Sequence, residues 1–325
     1  MRLGILGDLH LTNRGPSRRL DNYFETQMDK LDQSFTIFDD YGCEVIIQPG
    51  DFCDSPTISD RVKAVVIKFL MERATPESYC NYSNANELHG PWYCVFGQHD
   101  ISGHSVSTLP NSPLAVLAAA GVVTILSCVD WPVGTVSKDS DVCVVLYGAG
   151  FGELVPKPVS RDNYNVLVTH RMIGDRPLYP GQELANPRQF LRNHPDYNLV
   201  ICGDYHYRFA DTYCGRTIIN PGALVRKTIS KFDLEHKPAV AVFDTSTNEF
   251  EFIELNVKPA EEVFDFSLEA KKDNTKLSEF IEELKKSKGR AKAGCKEILI
   301  KVIEKRNCSQ EVRDIIDRYF EEAKK

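Results

Sequence analysis

The chain has 325 residues, 42% apolar and 26% charged, the balance of a globular protein rather than of a disordered or membrane-spanning one. Its formal net charge of −7 is unevenly divided: residues 1–266 carry 23 Lys and Arg against 34 Asp and Glu, and residues 267–325 carry 16 against 12. No apolar run reaches membrane-spanning length, and Asp8 stands where a signal peptide would be apolar, so a cytoplasmic protein with no membrane partner is expected.

The chain opens on Arg2–Leu6, an apolar run that reads as a strand and ends at Gly7-Asp8-Leu9-His10. A turn-rich loop with Arg14, Arg18 and Arg19 follows. From Asp21 the spacing of Phe24, Met28, Leu31, Phe35 and Phe38 predicts one face of a helix that stops near Gly42. Val45–Ile47 is strand-like and delivers Gly50-Asp51-Phe52-Cys53-Asp54. A helix over 60–72 and a polar loop over 75–90 lead to the strand Trp92–Phe96, which delivers Gly97-Gln98-His99-Asp100. A loop to Ser112, a short helix over 114–120 and a strand over 122–126 continue the βα alternation.

Beyond residue 140 the rhythm changes. Runs at 142–147, 165–169, 198–202, 217–220, 239–243 and 250–255 are strand-like, with fewer helices between them. They predict a second sheet, hence an α/β protein with a four-layer αββα sandwich over residues 1–258. Within it, Val166–Thr169 runs into His170, and Leu199–Cys202 into Gly203-Asp204-Tyr205-His206. From Pro259 the composition turns to Lys and Glu, and residues 259–325 read as a small helix-strand-helix domain. Its loop Lys285–Lys292 holds five positive charges and no acid. The ten cysteines include no Cys-x-x-Cys pair, and Cys94, Cys143 and Cys202 sit inside apolar runs as reduced, buried thiols do.

Five strand-like runs thus end in clusters of Asp, His and Gln, the end at which an α/β sheet presents its ligand site. Taken singly each cluster is weak: an Asp after a strand is commonly a helix cap or turn residue, and a lone His170 is commonly a satisfied core histidine. In conjunction they match divalent-ion chemistry, which uses carboxylate and amide oxygen with imidazole nitrogen. A two-ion site also needs one ligand bridging ions about 3.5–4 Å apart. Asp51 is the bridging candidate. One ion would take Asp8, His10, Asp51 and His206, the other Asp51, Gln98, His170 and Asp204. His99, next to a ligand in sequence, is placed to act as general acid toward a leaving-group oxygen.

The order Asp-x-His, Gly-Asp-x-x-Asp, Gly-Gln-His-Asp, His, Gly-Asp-x-His resembles the calcineurin-like metallophosphoesterase superfamily. That family's usual third motif is Gly-Asn-His-Asp/Glu and its last is Gly-His-x-His, so Gln98 and Asp204 depart from it, both at second-metal positions. The resemblance implies that Asp54 orients His99, and that Asn220-Pro221-Gly222-Ala223 is the family's turn segment. With the appended tail as a capping domain, nearly the whole chain is similar to SbcD-type DNA-repair nucleases. That similarity implies two divalent ions, manganese or else magnesium, a homodimer, and an SMC-like ATPase partner of SbcC type.

Three functions follow as expectations. The first is a metal-dependent DNA exonuclease and endonuclease in repair, recombination or replication. The second uses the same centre on small phosphodiesters, nucleotides or phosphoproteins. The third is a non-catalytic scaffold that has lost a metal through the departures at Gln98 and Asp204.

Overall fold

The computed structural model describes residues 1–73, 92–128, 133–136, 143–178, 182 and 184–267. The elements are β1 (Arg2–Ile5), α1 (Tyr23–Asp40), β2 (Val45–Gln48), α2 (Asp60–Arg73), β3 (Trp92–Cys94), α3 (Pro113–Ala119) and β4 (Thr124–Ile125). They continue through β5 (Val133–Val136), β6 (Cys143–Ala149), β7 (Tyr164–His170), α4 (Pro187–Asn193), β8 (Leu199–Gly203), β9 (Phe209–Tyr213) and β10 (Arg216–Asn220). The last are α5 (Lys231–Glu235), β11 (Ala239–Asp244), β12 (Glu249–Glu254) and α6 (Ala260–Val263).

Two six-stranded sheets form, in the orders β12-β11-β1-β2-β3-β4 and β5-β6-β7-β8-β10-β9. Each has a run of four parallel strands: β1 to β4, ending at the sheet edge, in one, and β6, β7, β8 and β10, at the centre, in the other. Antiparallel β11 and β12 extend the first sheet beyond β1, and antiparallel β5 and β9 flank the second. Strand residues alternate between two cores, which explains the continuous apolar runs: a strand covered on both faces has no polar side. In β1 and β2, Leu3, Ile5, Val45 and Ile47 meet Val166, Val168, Leu199 and Ile201 of the other sheet. Ile46 and Trp92 point outward to Leu31, Phe35 and Phe38 of α1 and Val66 of α2. Leu167 and Val200 point the opposite way, to Phe190 and Leu191 of α4. The layers are therefore αββα, as the sequence predicts.

α1 begins at Tyr23, capped by Asn22, whose side chain accepts from the Glu25 N–H. Asp21 instead binds Arg19 at 2.7 and 2.6 Å and accepts from the Thr26 hydroxyl at 2.6 Å. The helix lies close on β1: a Cβ on Gly4 would come within 2.7 Å of the Phe38 ring. Truncating a ring so enclosed costs about 3–5 kcal/mol.

Several elements differ from expectation. β4 is two residues long rather than five, and the stretch before α3 forms two short 3₁₀ turns. α4, α5 and β9 had no clear periodic signal, each being only five to seven residues long. The described elements lie in one compact unit, Met1–Asp265, and a second unit spans Phe266–Lys325. The polar loop 75–90, the helix-strand-helix reading and the basic loop fall outside the described residues.

Candidate metal centre

The C-terminal ends of five parallel strands supply the predicted site residues. Asp8 and His10 follow β1, Asp51 follows β2, Gln98 and His99 follow β3, His170 ends β7, and Asp204 and His206 follow β8. The structure brings these eight side chains together. His10 Nε2 faces His206 Nε2 at 3.2 Å and Asp51 Oδ2 at 3.6 Å, and His206 Nε2 is 3.4 Å from Asp8 Oδ2. On the other side, His170 Nε2 lies 3.4 Å from Asp51 Oδ2 and 4.0 Å from Asp204 Oδ1. Gln98 Nε2 donates to Asp204 Oδ1 at 2.9 Å.

The backbone is bent to make this convergence. His10, Asp51 and Asp204 have φ of 46°, 50° and 76°, a left-handed conformation that side chains other than glycine adopt at a cost. Gly50, at φ 107°, admits the His170 ring against its α-carbon, where a Cβ would overlap it. At Gly203 a Cβ would meet Asp8 Oδ1 at 2.6 Å and Pro49 O at 2.7 Å. The glycines of these motifs are thus set by crowding around the cluster.

The donor set fits divalent cations. Asp8 Oδ1, Asp51 Oδ2, Gln98 Oε1 and His170 Nε2 are buried with no hydrogen-bond partner. Buried polar atoms are nearly always paired, so four converging lone-pair acceptors mark a place for positive charge. His170 is oriented for this: its Nδ1–H donates to the Pro49 carbonyl at 2.7 Å, which turns Nε2 toward the carboxylates, where a proton and a cation compete for it. Three groups have ligand atoms within 4.8 Å of one another: Asp8, His10 and His206; His10, Asp51 and His99; and Asp8, Asp51 and His170. Asp8, His10 and Asp51 each belong to two.

Electrostatics carry the same mark. Burial, and then the Asp51 and Asp204 carboxylates, push Asp8 well above the usual carboxylate range against the opposing pull of His170. Burial alone would raise Asp51 too, but His170, His10 and His99 around it hold it below that range. Burial opposes a charge on His170, yet Asp51, Asp8 and Asp204 lift it to about 10. His206, by contrast, is pushed down to about 3 by burial and by His10 beside it.

Asp54 is placed differently from what the resemblance implies. It meets His99 through its backbone carbonyl, 3.0 Å from His99 Nδ1, and not through its carboxylate. The carboxylate lies 3.5 Å from His10 Nδ1 and forms an ion pair with Lys227 Nζ. His99 is further fixed by its N–H, which donates to Asp51 Oδ1 at 2.9 Å; its side chain is 43% exposed and its Nε2 is 4.0 Å from Asp51 Oδ2.

Three supporting residues escaped the sequence reading. Lys227 is one. Gln27, buried in α1, donates to the carbonyls of Leu9 and His10 at 3.2 and 2.6 Å and accepts from Thr12 N–H at 3.1 Å. Asp100 accepts from the N–H groups of Phe52, Cys53 and Gly97 at 3.2, 2.8 and 2.8 Å, tying the loop after β2 to the loop after β3. Burial, and then nearby Asp51, raise Asp100 to about 7. Its place after Gly-Gln-His was the available signal; the other two had none.

A two-sheet sandwich whose parallel strands gather carboxylate, amide and imidazole donors at one edge defines a metallohydrolase architecture. A profile of the calcineurin-like phosphoesterase superfamily domain matches residues 1–248, and the chain belongs to that superfamily. It is therefore a hydrolase of phosphate esters, from a family that uses a dinuclear metal centre. No curated protein matches the sequence. Among solved structures, an archaeal phosphodiesterase is similar at 18% identity and TM-score 0.39, over 78% of this chain and 100% of that one. A Staphylococcus aureus protein assigned as a 5'-nucleotidase is 13% identical with TM-score 0.45, over 81% of this chain and 54% of that one, so the chain spans about half its length. A dimetal phosphatase from Danio rerio is 14% identical with TM-score 0.42, over 74% and 91%. Among the described residues no helix is long and apolar enough to cross a membrane.

Proposed function

We propose that the chain is a metal-dependent phosphodiesterase that cleaves DNA, a nuclease of SbcD type. The observation that supports hydrolysis at this place is the set of buried, unpartnered acceptors on Asp8, Asp51, Gln98 and His170, with His99 exposed beside them. Two divalent cations bound there, manganese by the family resemblance, would supply a clamp on the phosphate oxygens and an activated water for in-line attack. Asp51 would serve both, with His10, His206 and Asp8 on one side and Gln98, His170 and Asp204 on the other.

His99 is the residue placed to deliver a proton. The Asp54 carbonyl can only accept, so His99 Nδ1 must donate to it, and Nε2 is left as the nitrogen that would take up a proton from solvent and pass it to the departing oxygen. Asp54 serves through its backbone here, while its carboxylate and Lys227 steady His10. In this reading DNA, an SbcC-type ATPase and a second copy of the chain are the partners. The basic run 285–292 is the sequence feature that favours DNA, since clustered positive charge adds salt-sensitive affinity for phosphates.

A second reading, a small phosphodiester or nucleotide as substrate, has its own support: Lys227 at the site is already engaged by Asp54 rather than open to a polymer backbone. Purified protein with manganese should cleave plasmid and end-labelled duplex as well as a chromogenic phosphodiester. Turnover of the chromogenic ester alone would favour the small-substrate reading, and turnover of neither would leave a scaffold.

A further inference from the structure

A second concentration of cations adjoins the loop after β10, and the hydrolytic centre does not use it. A cavity of about 270 Å³ lies among α1, that loop and the segment from Asn256 to Val263. Arg19, Lys30, Arg226 and Lys258 line it against one carboxylate, Asp29, and Val225 and Val263 add apolar wall.

Arg226 is the informative member. It is only 8% exposed, its carbonyl accepts from Arg19 Nη1 at 2.7 Å, and among the described residues its guanidinium makes one hydrogen bond, from Nη2 to the Lys258 carbonyl. A guanidinium has five donors. Of the three carboxylates that act on Arg226, exposed Glu261 makes no bond to it and the other two are committed elsewhere. Asp21 holds Arg19 and Thr26, and buried Asp233 accepts from the N–H groups of Lys227 and Thr228 and from the Ser230 hydroxyl. Burial, and then Arg19 beside it, pull the Arg226 pKa down. Arg19 is itself locked, bidentate on Asp21 and stacked near the rings of Tyr23 and Phe264 at 4.9 and 5.0 Å. Lys30 is buried and, among the described residues, its ammonium reaches only the exposed Asp29.

The remaining donors of Arg226 are absent from the buried, unpartnered atoms, so they face the open cavity, where an anion can meet a guanidinium otherwise almost wholly enclosed. We infer that this cavity is a binding site for a small phosphate- or carboxylate-bearing anion, held by Arg226 with Lys30 and Lys258 and distinct from the metal centre. Its volume falls just below the roughly 300–1,000 Å³ of pockets for drug-sized ligands, which fits an inorganic or short organic anion. Because Arg226 directly precedes Lys227, an occupant would also stiffen the backbone that carries the Lys227–Asp54 pair.

The test is calorimetric titration of EDTA-treated protein with inorganic phosphate, glycerol 2-phosphate and acetate at fixed ionic strength. Saturable one-to-one binding of at least one is expected, unchanged in Asp51→Asn and weakened by about tenfold or more in Arg226→Gln, as loss of a charged hydrogen bond requires. Preference for acetate over both phosphates would identify a carboxylate ligand, and the reverse a phosphate. No saturable binding of any probe, or affinity untouched by Arg226→Gln, would overturn the site. Should that variant fail to fold, selenate soaked into crystals of the natural protein decides: anomalous density beside Arg226 is expected, and its absence there sinks the inference.

Discussion

The two halves of the metal centre are built to different rules. On the His10 side, two imidazoles face each other at 3.2 Å, and His206 is partly exposed. On the His170 side, the donors are locked before any cation arrives: His170 by the Pro49 carbonyl, and Gln98 and Asp204 by each other. The difference lies in softness and freedom. The first half offers nitrogen on a partly open wall, the second mostly oxygen in a fixed, buried frame. An oxygen-rich, preorganised half should favour harder ions and discriminate by geometry, while the imidazole half accepts a broader set.

Asp51→Asn should abolish that distinction altogether, since Asp51 Oδ2 lies within 3.6 Å of both His10 and His170. Turnover should fall to background, with both ions lost in metal analysis. Retention of two ions would remove Asp51 from its bridging place. The next largest effect is expected for His99→Ala, about 10²–10⁴-fold in turnover, with manganese stoichiometry kept. Because His99 Nε2 is 4.0 Å from Asp51 Oδ2, this variant also decides between acid and ligand. Metal loss matching that of Asp51→Asn would make His99 a ligand.

Lys227→Met probes the open half alone. Removing the ammonium frees Asp54 and loosens its hold on His10, and losing such a supporting contact typically costs about 10–100-fold in metal affinity or activity. Sequential calorimetric titration should show one weakened ion and one intact, whereas two equally weakened ions would place Lys227 on both halves. The smallest change in rate is expected for Asp204→His, which puts nitrogen into the oxygen-rich half. Its signature is a shift of preference from manganese toward zinc, read by competition. An unchanged preference would mean that the two halves do not differ in softness.

The sequence showed the centre because of where its residues sit. Val166–Thr169 and Leu199–Cys202 are buried on both faces, so each run is apolar until it breaks at His170 or at Asp204, and the break marks the cleft. What supports the centre was hidden for equally physical reasons. Lys227 reaches Asp54 across 173 residues of chain, a pairing no local pattern records. Gln27 lies on the buried side of α1 with nothing in the helical periodicity to distinguish it from a polar interruption. His99 is held by a carbonyl of Asp54, and every residue has one, so no side-chain motif records that contact.

The left-handed backbone at His10, Asp51 and Asp204 has a consequence for directed evolution. Each such position costs of order 1–3 kcal/mol, and a glycine there would release part of it. A library selected only for heat resistance should therefore enrich glycine at these three places. Its fittest members would be the ones with no metal site left.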